Sequence, residues 1–323
     1  MRKRILAYGR LNTHQLDALK RDFDVIDLAR CADSSDPTFR AALAQAHGLI
    51  GSSVAITPEL LDNAPHLEVI ASISVGYDNY PVEELTRRGI LLCNTPDVLT
   101  ETTADTGFTL IMATARRVVE LANYVKRGDW DTSIGPAQFG SDVHGKTLGM
   151  IGFGRIGAAV ARRGALGFDM NVRYACASPK PALEKELGAE HRQLDDLLAE
   201  SDFVCVTVPL TKETHHLIGG REFAKMKSSA IFINIARGKV VDEGALIAAL
   251  EKGEIHAAGL DVFAQEPLDP TSPLPHMDNV VALPHIGSAT HETRTAMAQR
   301  AVDNITLALK GKSPISPVNP DAR

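Results

Sequence analysis

The sequence predicts an α/β fold built from two doubly wound parallel-sheet domains, and three observations carry that prediction. Short apolar runs of β type alternate with helical stretches along nearly the whole chain, as parallel sheets with crossover helices require. The runs fall into two series, one in the first third and one beginning near Thr147. At the head of the second series, a glycine-rich turn separates an apolar run from an alanine-rich helical stretch.

In the first third, strands are predicted at residues 5–7, 24–28, 48–51, 69–73 and 90–93, with helices such as 13–22 and 37–46 between them. A long helix follows from Thr100 to Arg127, with Thr100 as N-cap, Glu101 in the first turn and Gly128 as the stop. Its length suits a link between domains or a subunit interface. The loop at 130–143 carries Gly135-Pro136 and no periodicity. The second series places strands at 148–151, 172–174, 203–208, 231–235, 259–262 and 280–282. Helices near 155–166, 194–200, 221–225 and 243–252 separate them, and six strands joined this way fit a dinucleotide-binding sheet. A last helix at 291–310 precedes a proline-rich tail at 313–320.

A length of 323 residues suits two domains, and 44% hydrophobic with 23% charged residues is an ordinary globular balance. The net charge of −6, with no basic tract, argues against nucleic acid as a partner. An anionic substrate must then be held by local cations. The cysteines at 31, 93, 176 and 205 lack Cys-x-x-Cys spacing, which reads as buried, reduced thiols in a cytoplasmic protein. The basic start, Met-Arg-Lys-Arg-Ile-Leu-Ala, has too short an apolar run for a signal peptide. No stretch reaches the ~18 apolar residues of a membrane span.

Gly152-Phe153-Gly154-Arg155-Ile156-Gly157 matches Gly-x-Gly-x-x-Gly in its required context, after an apolar run and before a helix. The first glycine permits the tight turn, the second admits a pyrophosphate, and the third lets helix and sheet pack closely. Amides at the helix start then face the phosphates. An NAD site usually carries Asp or Glu after the second strand, to bond the ribose 2′-hydroxyl. Here the chain reads Ala175-Cys176-Ala177-Ser178-Pro179-Lys180, with no acid. Ser178 and Lys180 can donate to a 2′-phosphate, so NADP(H) is favoured and NAD(H) stays open; no metal is expected.

Arg237, Glu266 and His285 each follow a predicted strand of the second series. Polar groups placed after parallel strands converge on one edge of the sheet, where α/β folds build their sites. A cation, a carboxylate and an imidazole suffice to hold a 2-keto acid and protonate its carbonyl. The adjacent pair His215-His216 is assigned no role.

The turn at 152–157, together with Asn234-Ile-Ala-Arg-Gly238, Gly259-Leu-Asp-Val-Phe263, Gln265-Glu-Pro267 and Pro284-His-Ile-Gly-Ser-Ala-Thr290, resembles the signature blocks of the D-isomer-specific 2-hydroxyacid dehydrogenases. Ile73-Ser-Val-Gly-Tyr-Asp-Asn79, Thr95-Pro-Asp-Val-Leu-Thr-Glu101, Ser133-Ile-Gly-Pro136 and residues 223–234 are similar to the bacterial glyoxylate/hydroxypyruvate reductase B (2-ketogluconate reductase) branch. The blocks fall in family order over almost the whole chain.

The resemblance implies a Rossmann-type NAD(P)-binding domain, residues 99–288, inserted into a flavodoxin-like substrate domain, residues 1–98 and 289–323, with the active site in the cleft between them. It assigns carboxylate and carbonyl binding to Arg237, orientation of the imidazole to Glu266, and proton donation to His285. Backbone amides of Val75 and Gly76 would hold the substrate carboxylate. Coenzyme contacts would come from Gly152, Gly154, Arg155, Ile156, Gly157, Ser178, Lys180, Thr106, Pro209, Thr214, Ile235, Asp261 and Ser288. The implied reaction reduces glyoxylate, hydroxypyruvate or 2-ketogluconate to a D-2-hydroxy acid, in a homodimer joined through the long helix and the loop after it.

One departure bears on the coenzyme: this branch tends to carry basic residues after the second strand, where this chain has Ala177-Ser178. The 6-phosphate of 2-ketogluconate shares the same head group, but no cluster of extra cations marks a phosphate site. A formate-type dehydrogenase would carry Gln where Glu266 stands. A non-catalytic dinucleotide-sensing protein is the alternative of another class, and the triad residues by themselves do not separate it.

Overall fold

The computed structural model describes residues 2–9, 11–28 and 33–322. They divide into two compact units, Met1–Leu99 with Ser288–Arg323, and Thr100–Gly287. The expectation for Cys31 lies outside the described residues.

The first unit opens with β1 (Arg4–Tyr8), α1 (Thr13–Asp22), β2 (Asp24–Asp27), α2 (Pro37–Leu43) and β3 (Gly48–Gly51). It continues with α3 (Pro58–Leu61), β4 (Val69–Ser72), α4 (Val82–Arg87) and β5 (Leu91–Cys93). Helix starts are written into the sequence. Asn12 caps α1 in a reciprocal pair with Gln15, and Asp36-Pro37 and Thr57-Pro58 set a capping side chain before a first-turn proline. The five strands are parallel in the order β2-β1-β3-β4-β5, as the fold class requires.

The second unit begins with α5 (Thr100–Ala115) and α6 (Val118–Lys126), then β6 (Thr147–Ile151), α7 (Arg155–Phe168), β7 (Asn171–Ala175), α8 (Pro181–Leu187) and β8 (Glu190–His191). After these come α9 (Leu194–Glu200), β9 (Phe203–Val206), α10 (Gly220–Phe223), β10 (Ile231–Asn234), α11 (Glu243–Glu251), β11 (Ala257–Leu260) and β12 (Val280–Ala282). Its seven strands are parallel in the order β12-β11-β10-β9-β6-β7-β8. Both faces are buried, and the alternation of side chains along each strand shows it. Phe203, Cys205, Ile231 and Ile233 join one core with Leu110, Ile111 and Val160. Val204, Val206 and Phe232 join the other with Leu197, Phe223 and Leu246. The chain leaves β6 toward β7 on one side and β9 lies on the other, so the end of β6 is the switch point where ligand crevices form.

The last helix, α12 (His291–Leu309), belongs to the first unit and covers its sheet. A Cβ on Gly48 would lie 2.9 Å from Ile305 Cδ1, so the missing side chain lets α12 sit down on β3.

Three features differ from the sequence reading. The helix predicted at 100–127 is two helices, because Arg117 takes a left-handed conformation with φ 52°. The Ala115 carbonyl accepts from Ser141 N at 2.8 Å instead of continuing the helix, while Arg117 turns to Glu120 and the Ala137 carbonyl. The second sheet gains a seventh strand, β8, too short to show a period. The segment after α12 is bonded to β5 and the residue before it: Val318 N bonds Leu92 O at 2.7 Å, and buried Asn319 bonds Leu92 N at 2.6 Å and Ile90 O at 3.0 Å. Cys93 and Cys205 are buried free thiols, but Cys176 is only half-buried, since it stands just past the end of β7. Among the described residues no helix is long and apolar enough to cross a membrane.

Candidate active site

The turn between β6 and α7 is shaped by what its glycines exclude. Gly152 has φ 93°, and a Cβ there would strike Val208 N at 2.9 Å. At Gly157 a Cβ would lie 2.5 Å from Gly152 O, so helix and turn touch backbone to backbone. Around Gly154 a Cβ would meet nothing within 4 Å, which leaves open space over the helix start. No side chain caps α7, and a helix start without a side-chain cap suits an anion. These features fit a dinucleotide pyrophosphate. Thr106 lies on α5 beside Gly107, where a Cβ would approach Ile235 Cδ1 at 2.7 Å. Pro209 O accepts from Thr214 Oγ1 at 2.6 Å, closing the loop after β9.

On the other side of β6, the chain after β7 forms a short loop to α8. Tyr174 is wholly buried, and its ring stacks on Phe153 of the glycine turn at 4.1 Å and 14°. Its hydroxyl accepts from Lys180 N at 2.7 Å and donates to Glu184 Oε1 at 2.5 Å. Burial first, then the bond to Glu184, pushes that hydroxyl up to about 12, so it stays a neutral donor. Ser178 is exposed, and Lys180 Nζ reaches its Oγ at 3.5 Å.

The three candidate catalytic residues all belong to the second unit. His285 follows β12 and takes φ 54°, an uncommon conformation outside glycine. The buried Asp261 holds the chain there, its two carboxylate oxygens accepting from Ile286 N at 2.7 Å and Gly287 N at 2.8 Å. Burial drives the Asp261 pKa above its ordinary 3.8, against the two amides. His285 Nδ1 lies 2.6 Å from Glu266 Oε2, and Glu266 Oε1 accepts from Phe263 N at 3.0 Å. Burial would raise the Glu266 pKa, but the bonds from His285 and Phe263 and the charges of His285 and Arg237 outweigh it, and the net shift is downward. Arg237 is half-buried after β10, with its Nη1 on Ala236 O at 2.8 Å. Asn234 folds that segment: its Oδ1 accepts from Ala236 N and its Nδ2 donates to Arg237 O. Gly238 then passes so close to the next strand's exit that a Cβ would fall 1.8 Å from Phe263 C. Arg237 and Glu266 therefore hang from two backbone segments pressed together, and His285 closes onto Glu266.

Comparison with known proteins decides the family. The profile for D-isomer specific 2-hydroxyacid dehydrogenase, NAD binding domain, matches residues 108–287. The chain is 54% identical over 320 residues to glyoxylate/hydroxypyruvate reductase B of Escherichia fergusonii, spanning 99% of each. The chain belongs to the D-isomer specific 2-hydroxyacid dehydrogenases. Among solved structures, a protein of Thermus thermophilus gives a TM-score of 0.88 at 42% identity, over 98% of this chain and 99% of that one. The NADPH-dependent glyoxylate/hydroxypyruvate reductase of Sinorhizobium meliloti, in complex with NADP and malonate, also gives 0.88, at 34% identity over 100% and 98%.

In this dehydrogenase, Gly152 and Gly154 lie in the turn after β6, Arg155, Ile156 and Gly157 open α7, and Ser178 and Lys180 lie in the segment between β7 and α8. Val75, Gly76 and Ser288 belong to the other unit. Val75 O there accepts from Asn94 Nδ2 at 2.9 Å. Sequence reasoning missed Asn234 and Gly238, and it gave Asp261 no part in holding the His285 turn. Asn234 had a visible signal, an asparagine at a strand end able to bond its own backbone two residues on. The others depend on which segments meet in space, which spacing does not carry.

Proposed function

We propose that this dehydrogenase reduces small 2-keto acids, with glyoxylate, hydroxypyruvate and 2-ketogluconate as the substrate class, to D-2-hydroxy acids. The observation that carries the reading is the His285–Glu266 contact at 2.6 Å, with the Arg237 charge acting on the same carboxylate. A nicotinamide coenzyme supplies the hydride when bound. Glu266 engages Nδ1, so Nε2 is the nitrogen that gives its proton to the oxygen on C2. Arg237 grips the substrate carboxylate through its guanidinium fork and polarises the ketone. As charge builds on the C2 oxygen, the imidazole and guanidinium stabilise it together. Val75 and Gly76 are assigned to the same carboxylate through their amides.

NADP(H) is favoured over NAD(H). Residues 175–180 after β7 include no carboxylate to repel a 2′-phosphate, and the Sinorhizobium meliloti relative is an NADPH-dependent enzyme in complex with NADP. Ser178 is neutral and leaves NAD(H) as the second coenzyme. A homodimer completes the reading. Val118, Val119, Val125, Trp130, Ile134 and Phe139 are all exposed in one stretch of a single chain.

The test follows NADPH and NADH absorbance with a panel of 2-keto acids. Turnover of glyoxylate or hydroxypyruvate, faster with NADPH, is the expected result. Coenzyme binding without turnover on any 2-keto acid would leave the dinucleotide-sensing alternative in its place.

A further inference from the structure

We propose that Tyr174 is a positioning residue for coenzyme choice, its hydroxyl holding loop 176–180 in the form that presents Ser178 and Lys180 to the ribose 2′-position. The inference rests on the NADP(H) reading of that loop. A phenylalanine would fill the same buried space, stack on Phe153 and continue β7 equally well. What only the hydroxyl supplies is the pair of bonds to Lys180 N and Glu184 Oε1. Both partners lie at the far end of the loop, where Lys180 precedes α8 and Glu184 sits in its first turns. The near end is held separately, by His191 Nε2 on Cys176 O at 3.1 Å. The exposed residues between are thus clamped at both ends by side chains rising from the sheet.

The clamp has an electrostatic side as well. Glu184 is the carboxylate that the Tyr174 hydroxyl engages, and a carboxylate left without that donor is free to turn toward a bound 2′-phosphate and repel it. A 2′-hydroxyl carries no such charge. Losing the hydroxyl therefore penalises NADPH and spares NADH. The stack on Phe153 ties the same tyrosine to the pyrophosphate turn, so both ends of the adenosine site rest on one buried ring.

Tyr174→Phe tests this, because it deletes one oxygen and keeps the ring. KM for NADPH is expected to rise about tenfold, the effect of losing a buried hydrogen-bonded group. KM for NADH and kcat with either coenzyme should stay within about twofold. In a Ser178→Ala/Lys180→Ala background the same change should alter the NADPH/NADH ratio less than in wild type, since only the Glu184 contribution is left. Amide exchange at Lys180 should also quicken in Tyr174→Phe. An equal loss with both coenzymes, or no change in the ratio, overturns the proposal. The underlying reading fails separately: if Ser178→Ala and Lys180→Ala leave the ratio untouched, the loop does not read the 2′-position and the role of Tyr174 falls with it. A ratio that moves in those variants but not in Tyr174→Phe overturns the tyrosine alone.

Discussion

His285 shows how little freedom the proposed proton donor has. Its backbone sits at φ 54°, its neighbours' amides are fixed by Asp261, and its ring is fixed by Glu266. Replacing it removes the group we propose as proton donor and leaves the glycine turn alone. His285→Ala is expected to lower kcat by about 10²–10⁴-fold, with the coenzyme Kd unchanged within experimental spread. Arg237→Ala should raise KM as well as lower kcat, since we propose that this group binds the substrate before it stabilises the reaction. Near-normal turnover in His285→Ala would remove the assigned role. Glu266 adds a pH signature. Its pKa lies below the ordinary 4.5, so its stabilisation is complete above the unfolded value and fades as pH falls through the folded one. The melting-temperature gap between wild type and Glu266→Gln should close as pH falls from about 5 through the folded-state pKa of Glu266. Asp261 is shifted upward, chiefly by burial, and shifts stability in the opposite sense; its burial is common to both proteins, and only the small part due to the Glu266 charge differs between them. At this scale the triad was legible because each member follows a strand. The hydrogen bonds that aim it were not, because Asp261 lies 24 positions before His285 in sequence and only the fold returns it.

At the scale of elements, the strands were the most legible part. Alternating apolar residues at 203–206 and 231–233 feed two cores, and only a sheet covered on both faces demands that. The break between α5 and α6 was not legible. Arg116-Arg117 contains neither glycine nor proline, and the helix ends because a later loop takes the Ala115 carbonyl. Gly140 makes room for this, since a Cβ there would lie 2.4 Å from Ala115 O. The same logic of close approach fixes the site at Gly238, and it gives a test that needs no ligand. Gly238→Ala puts a methyl group inside the Phe263–Ala264 backbone, and no rotamer relieves it. The segments bearing Arg237 and Glu266 must then part. A loss of about 3 kcal/mol or more is expected from overpacking of this kind, read as a lower denaturation midpoint together with lost turnover. Gly154→Ala is the control. It meets no atom within 4 Å, so stability should hold while coenzyme affinity falls.

For the whole molecule, the unresolved balance is apolar surface. The α6 helix buries none of its nine residues within the single chain, yet Val118, Val119 and Val125 are among them. Trp130, Ile134 and Phe139 extend the same exposed stretch along the following segment. A helix this short is marginal in water and draws its stability from packing an apolar face. We propose that these exposed apolar side chains form an interface. A second copy of the chain is the cover we propose, and mass measurement decides it. Sedimentation should report about twice the 34.7 kDa of one chain at micromolar concentration. Charging the patch with Val118→Asp and Phe139→Asp should yield the single-chain mass and a lower melting temperature, because α6 then loses the surface it packs on. The His285–Glu266 pair lies outside the changed residues, so residual turnover of the charged variant separates loss of assembly from loss of chemistry. A wild-type chain that sediments as a monomer across that range would mean that α6 is stable with its valines in water, and the interface would have to be abandoned.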